Sequence, residues 1–64
     1  QEMTQRELDV LLKVAEGKTN QAIADELFIS LHTIKSHLKN IFIKLDVASR
    51  AEAIVLLNKI KITP

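Results

Sequence analysis

The chain has 64 residues, of which 47% are hydrophobic and only 3% aromatic, and its formal net charge is +1. At this length one small domain is expected, which buries about 60% of the surface of its unfolded chain. The absence of cysteine excludes a disulfide framework and a thiolate metal site. No apolar run approaches the ~18 residues of a membrane span and no signal peptide is visible, so we expect a soluble, cytoplasmic module.

The first predicted helix covers about residues 5–16. The segment T-Q-R-E at residues 4–7 has the form of a capping box, in which the Thr4 hydroxyl and the Glu7 carboxylate each accept from the other residue's amide. Gly17, the only glycine, ends the helix because it accepts the left-handed conformation. Helical spacing predicts an inward face made of Leu8, Leu11, Leu12 and Ala15.

The second predicted helix covers about residues 20–27, with Thr19 as its N-cap. Its predicted inward residues are Ala22, Ile23 and Leu27. Only F-I-S at residues 28–30 separates it from the next helix, and the two apolar residues there predict a buried tight turn, after which Ser30 caps that next helix. Two helices joined by so short a turn form a helix-turn-helix unit, here about residues 20–39.

The third predicted helix, about residues 31–45, is apolar on one side and basic on the other. Its predicted core stripe is Ile34, Leu38, Ile41, Phe42 and Leu45. The opposite side carries His32, Ser36, Lys39 and Asn40, with Lys35 at its edge. Residues 27–45 contain three lysines and no acid, whereas residues 1–26 contain six acids against three bases. A basic patch of this kind can attract a polyanion, so we predict a recognition helix for DNA.

The fourth predicted helix covers about residues 50–59 and follows a second capping box, S-R-A-E, at residues 49–52. Ala53, Ile54 and Leu57 form its predicted core face, while Ala51 and Val55 project to another side. A helix that is apolar over so much of its circumference favours a partner helix. Residues 60–64 are expected to fray. The predicted fold is therefore all-α, a bundle of four helices containing a helix-turn-helix.

Three segments together resemble a known family. They are T-Q-R-E-L-D-V-L, G-K-T-N-Q-A-I-A-D-E-L-F-I-S and H-T-I-K-S-H-L-K-N-I-F-I-K-L-D-V-A-S-R-A-E-A-I, and they cover about residues 3–57. This pattern closely resembles the LuxR/NarL-type (GerE-like) helix-turn-helix domain of bacterial transcriptional and response regulators. The resemblance implies a single DNA-binding domain, residues 1–64, at the C-terminus of a longer regulator in a two-component or related system. It also implies a homodimer on DNA, with RNA polymerase as a further candidate partner.

The resemblance also assigns roles to individual residues. Base contacts correspond to Lys35, Ser36 and Lys39, and the physics agrees because lysine donates to guanine and serine bonds several base edges. Contacts to the DNA backbone correspond to Lys18, Thr19, Asn20 and Thr33, close to helix N-termini that favour phosphate. His32 is a further candidate DNA contact, and Ala51 and Val55 are the predicted dimer interface. Lys44 is predicted to interact with the helix dipole rather than with DNA.

Other classes of function fit the sequence less well. His32 and His37 are five residues apart and do not share a helix face, so no metal site is predicted, and no cofactor or enzyme activity is expected. The serious alternative is a helical protein-interaction module that has lost DNA binding. Three residues depart from the family pattern. Leu31 stands where the family often has an acidic or polar residue, Ile43 projects opposite the core stripe, and Asp46 replaces a common glycine.

Overall fold

This computed structural model describes residues 2–60 of the chain. They form four α-helices joined by short turns. They are α1 (Gln5–Ala15), α2 (Asn20–Leu27), α3 (Leu31–Leu45) and α4 (Arg50–Ile60). The predicted all-α fold is confirmed, and each predicted helix end agrees with the structure to within one residue. Ile60, which we expected to fray, is helical, whereas the rest of that segment lies outside the described residues.

Short polar side chains begin the helices where the sequence predicted them. The capping box of α1 is complete, with the Glu7 amide 3.1 Å from Thr4 Oγ1 and the Thr4 amide 2.9 Å from Glu7 Oε1. Thr19 accepts from the Ala22 amide at 3.1 Å, and Ser30 accepts from the Thr33 amide at 3.1 Å. Because each cap satisfies an amide with no partner within its helix, these short helices begin at defined residues.

Residues with positive φ terminate the helices. Gly17 follows α1 with φ +85°, and Asp46 follows α3 with φ 58°. The Val47 amide then bonds the Phe42 carbonyl at 3.0 Å, which satisfies an otherwise unpaired group at the end of α3. Aspartate is among the few residues other than glycine that adopt this conformation readily, so α3 ends at Asp46.

The core lies where α3 packs against α1 and α2. Ile34, Leu38 and Ile41 are buried, and Phe42 and Leu45 are partly buried against them, so the predicted stripe of α3 is confirmed. Helix α4 contributes the buried Ala53 together with Ile54 and Leu57, which pack against the core as predicted. The sides of α3 and α4 that face away from this core are left available to other molecules.

The predicted inward face of α1 is wrong for Leu8 and Leu12. The buried residues of α1 are Glu7, Val10, Leu11 and Val14. Leu8 is exposed, and Leu12 keeps 60% of its surface accessible. Since the aliphatic residues of α1 span a wide arc of the helix, helical spacing allowed more than one rotation about its axis. The observed rotation puts the Glu7 carboxylate against α3, where it meets a lysine.

The predicted burial of the α2–α3 turn is wrong for Phe28. Its side chain is 93% exposed, and its backbone is left-handed with φ 59°. Only Ile29 packs against the core. The left-handed residue lets the Ile29 amide bond the Ala24 carbonyl at 3.0 Å and close α2. The geometry of this helix end, rather than hydrophobicity, therefore decides where the ring of Phe28 lies.

Replacing Phe28 with asparagine is expected to raise the free energy of unfolding by about 1 kcal/mol, because asparagine tolerates the left-handed conformation better than other non-glycine residues. Almost no buried surface is lost, since the ring is exposed. Urea unfolding measures the change. Phe28→Ala serves as the control, because it removes the ring but keeps the backbone strain and should leave stability nearly unchanged. A destabilised Phe28→Asn would show that the ring makes a stabilising contact.

Glu7 and Lys44 form an ion pair between α1 and the end of α3. Lys44 Nζ lies 2.7 Å from Glu7 Oε1 and 3.2 Å from the Glu2 carbonyl oxygen. Glu7 is only 4% exposed. The hydrogen bond from Lys44, followed by that from the Thr4 amide, holds the pKa of Glu7 below its ordinary value of 4.5. The sequence predicts that Lys44 interacts with the helix dipole. In the structure Lys44 also pairs with a carboxylate, that of Glu7.

The ion pair makes stability depend on pH in acid. Since the pKa of Glu7 is lower in the folded chain than in the unfolded chain, its contribution is complete above the ordinary value of 4.5 and is lost as the pH falls through the lowered value. As the pH falls below 4.5, the free energy of unfolding, measured with urea, should decrease less for Glu7→Gln than for the unchanged chain. Lys44→Gln should do the same because it removes the largest cause of the shift. Acid profiles identical to the unchanged chain would contradict this assignment.

Candidate nucleic-acid interface

The outer side of α3 is an exposed polar stripe. Its residues recur every three or four positions, on the side opposite Ile34, Leu38 and Ile41. We call it the α3 outer stripe, and its exposed members are His32, Lys35, Ser36, Lys39, Asn40 and Ile43. The structure thus places all three predicted base-reading residues on one accessible surface. Ile43, at 64% exposure, continues the stripe toward the C-terminus, so the helix phase does not drift there.

Lys35 and Lys39, on the α3 outer stripe, differ from Lys13, Lys18 and Lys44 in their surroundings. Within residues 2–60, no carboxylate lies within ion-pair distance of Lys35 or Lys39. By contrast, Lys13, Lys18 and Lys44 each lie within 4.0 Å of a glutamate. Unpaired ammonium groups on an accessible helix side are available to an anionic ligand, and no charge on the protein must be displaced first.

Lys18, a predicted phosphate contact, is held by glutamates. Its Nζ lies 3.0 Å from Glu26 Oε2 and 4.0 Å from Glu16 Oε1. Glu26 also accepts from Lys13 at 2.8 Å, and these hydrogen bonds, that of Lys13 first, hold the pKa of Glu26 below 4.5. A phosphate approaching Lys18 must therefore compete with Glu26, a cost that the sequence pattern did not predict.

The other predicted backbone contacts lie in the first turns of α2 and α3. Thr19 accepts the Ala22 amide, which leaves its own hydroxyl proton free to donate. Thr33 Oγ1 lies 2.9 Å from Ser30 Oγ, so the two hydroxyls share one hydrogen bond. Asn20 Oδ1 accepts from Arg50 Nη1 at 2.9 Å. Each of these side chains is both a structural partner and a potential donor to phosphate.

Two side chains that join distant parts of the chain were not singled out from the sequence. Arg50 reaches from the start of α4 to Asn20 and to the Lys18 carbonyl oxygen. A cation in the first turn of a helix is disfavoured by the helix dipole, and that was a usable signal that Arg50 has a partner elsewhere. The burial of Glu7 was the other omission. Its partner is 37 residues away, and no local pattern announces such a pair.

Ala51 and Val55, the predicted dimer residues, lie side by side on the exposed surface of α4. Both line an open groove, and Val55 is 53% exposed. The remaining lining residues are Val47, Glu52, Leu56 and Lys59. This surface is mainly aliphatic, whereas the α3 outer stripe is mainly polar, so the two surfaces differ in chemistry.

Comparison with known proteins identifies the family. The GerE model, described as bacterial regulatory proteins of the luxR family, matches residues 1–57. The chain belongs to this family. The luxR-family chain is 53% identical over 53 residues to the transcriptional regulatory protein LiaR of Bacillus subtilis (strain 168), an alignment covering 83% of the chain and 25% of LiaR. Against the response regulator protein VraR of Staphylococcus aureus (strain NCTC 8325 / PS 47), identity is 42% over 53 residues, covering 83% and 25%.

A third relative of the luxR-family chain is the uncharacterized transcriptional regulatory protein YhcZ of Bacillus subtilis (strain 168). It is 50% identical over 52 residues, covering 81% of the chain and 24% of YhcZ. The chain thus spans about a quarter of the length of these relatives. Its family supports DNA-binding transcription regulation as the class of function. Within residues 2–60, no helix is both long and apolar enough to cross a membrane.

Proposed function

We propose that this domain binds double-stranded DNA in a sequence-specific manner and thereby regulates transcription, with α3 lying in the major groove. The observation that carries the proposal is the α3 outer stripe, a segment without acids. Lys35 and Lys39 are exposed there, and no carboxylate of residues 2–60 lies within ion-pair distance of them. An α-helix fits the major groove, and lysine donates to guanine O6 and N7. Ser36 lies between the two lysines and can bond several base edges.

The proposed backbone contacts surround this helix. Lys18, Thr19 and Asn20 at the start of α2, and Thr33 in the first turn of α3, donate to phosphates and fix the register of α3. His32 is exposed on the α3 outer stripe and is a further candidate contact. In this arrangement α2 braces the DNA backbone while α3 reads the bases, as in other helix-turn-helix proteins.

We further propose that two copies pair through α4 on DNA, using Ala51 and Val55. A two-fold dimer would place its recognition helices about one turn of DNA, roughly 34 Å, apart. LiaR and VraR bear the names of a regulatory protein and a response regulator, and we propose a comparable role for the protein that contains this domain. That residues 1–64 form one domain at the C-terminus of such a regulator, with RNA polymerase as a further partner, stays a prediction.

A protein-interaction module without DNA binding is the alternative. Such a module would need the aliphatic groove of α4, but it would not need an acid-free outer side of α3. The two free lysines on the α3 outer stripe therefore favour the DNA-binding function. The two functions also differ in their response to salt, because each phosphate contact releases condensed counterions from DNA.

Salt dependence tests the proposed function directly. We expect the logarithm of the DNA association constant to fall linearly with the logarithm of salt concentration, and Lys18→Ala to flatten this slope by about one unit. Fluorescence anisotropy with a labelled duplex at several salt concentrations provides the slopes.

Lys13→Ala is the matched control for this experiment. Lys13 also pairs with Glu26, at 2.8 Å, but it lies on α1 and is not proposed to contact DNA. Its replacement should therefore leave the salt slope unchanged. Binding that does not vary with salt would point to a partner other than DNA, and equal slopes for Lys18→Ala and Lys13→Ala would remove Lys18 from the interface.

A further inference from the structure

Arg50 joins the start of α4 to the start of α2. Its Nη1 donates to Asn20 Oδ1 at 2.9 Å, and its Nη2 donates to the carbonyl oxygen of Lys18. Both bonds are partly buried, and they cross 30 and 32 residues of chain. The planar guanidinium presents two N–H groups in a fixed fork, which suits two acceptors held at one place.

This contact decides which end of the Asn20 amide faces outward. A guanidinium has donors only, so it must meet the carbonyl oxygen of the amide and not its nitrogen. Within residues 2–60, no acceptor bonds Asn20 Nδ2, and no unbonded polar side-chain atom there is buried. The amide nitrogen of Asn20 is therefore not fully buried, and its two N–H groups have no partner within residues 2–60. A phosphate has acceptors only, so this is the orientation in which Asn20 can bind one.

Arg50 also differs from Lys18 in its electrostatic surroundings. The Lys18 ammonium lies 3.0 Å from Glu26, which offsets its charge. Within the described residues, no carboxylate lies within ion-pair distance of Arg50. At the start of α2, Arg50 is thus the cation that no carboxylate offsets. Its charge adds to the favourable potential that the amides of a helix N-terminus create for an anion.

We propose that Arg50 is a positioning residue for DNA binding: it holds Asn20 with the amide N–H groups toward a backbone phosphate and ties that contact to α4. The inference rests on the proposed DNA-binding function and deepens it. Because α4 is the proposed pairing helix, Arg50 connects the phosphate contact of one copy to its pairing surface through hydrogen bonds. Asn20 touches the phosphate, and Arg50 acts through Asn20.

A double-mutant cycle on a mixed-sequence duplex tests the proposal, since phosphate contacts do not depend on base sequence. Asn20→Ala should weaken binding about tenfold, because it removes a hydrogen bond to a charged group. Arg50→Lys keeps the charge but loses the fork, so it should weaken binding severalfold and leave the salt slope unchanged. Adding Arg50→Lys to Asn20→Ala should cause no further loss, because Arg50 then has no amide to position.

Arg6→Lys is the matched control, since Arg6 is exposed on α1 and undergoes the same chemical change. It should leave DNA affinity as it is, and urea unfolding of each variant checks the fold. If Arg50→Lys does not fold, the side-chain amide signals of Asn20 in the unchanged chain provide a second measurement. They should shift when duplex is added, and amide signals that do not move would overturn the proposal.

The outcomes separate this inference from the proposed function. If the unchanged chain binds no duplex, the proposed function fails and this inference fails with it. If the chain binds and Arg50→Lys binds equally well, only the positioning role of Arg50 is overturned. Losses from Arg50→Lys and Asn20→Ala that multiply in the double variant would also overturn it, because they would show that the two residues act independently.

Discussion

Replacing Lys39 with alanine should weaken binding to a preferred DNA site by roughly 1–3 kcal/mol and relax the preference at one base position. The reason is geometric, since Lys39 is exposed near the middle of the α3 outer stripe and no carboxylate in the described part of the chain pairs with its ammonium group. Lys35→Ala should behave likewise at a different base. Titrations against a set of duplexes, each with one base pair changed, would measure both effects.

Arg6→Ala is the control for Lys39→Ala. It removes an exposed cation from α1, outside the proposed interface, and should reduce affinity slightly and equally for all duplexes. Lys39→Ala should instead bind its former best and second-best sites with similar affinity. If it loses affinity uniformly over all site variants, Lys39 contacts phosphate rather than a base. If it loses none, α3 does not face the DNA in the way that we propose.

Val55→Asp should separate folding from pairing. Val55 is half-exposed in the groove of α4, so an aspartate there is tolerated in a single copy but meets an aliphatic partner surface in a dimer. An unpaired carboxylate in such an interface is costly. We expect binding of the second copy to a duplex with two half-sites to weaken tenfold or more, which corresponds to about 1.4 kcal/mol. Sedimentation velocity would give the stoichiometry on DNA.

Leu12→Asp provides the control for this change in hydrophobicity and charge. Leu12 is another exposed aliphatic residue, but it lies on α1. Its replacement should leave two copies on the duplex, and circular dichroism should show both variants folded. An unchanged stoichiometry for Val55→Asp would remove α4 from the dimer interface, while the proposed base contacts of α3 would stand.

Features encoded by neighbouring residues were predictable from the sequence. Thr4, Thr19 and Ser30 cap the helices that follow them, because a cap needs only a hydroxyl and an amide three residues later. The stripe of α3 was equally clear, since its apolar and polar residues fall on opposite sides. The exposed position of Lys35, Ser36 and Lys39 follows from that phase alone.

Features that depend on distant residues were not predictable. The buried Glu7 pairs with Lys44, 37 residues away, and helical spacing within α1 cannot express that contact. The pairing of Lys18 with Glu26 and the Arg50–Asn20 bond likewise appear only when the helices are packed. The prediction that Phe28 is buried was wrong for a different reason. Its hydrophobicity predicted burial, whereas the closure of α2 required a left-handed residue at this position. Two of the proposed phosphate contacts, Lys18 and Asn20, therefore have partners within the protein that the sequence pattern did not predict.

Selection of bound duplexes from a random library tests the central claim most directly. The unchanged domain should enrich a short common sequence, and paired copies should enrich two such half-sites about one turn of DNA apart. A variant carrying both Lys35→Ala and Lys39→Ala should stay folded and lose this enrichment. A folded, unchanged domain that enriches no sequence would contradict sequence-specific DNA binding through α3.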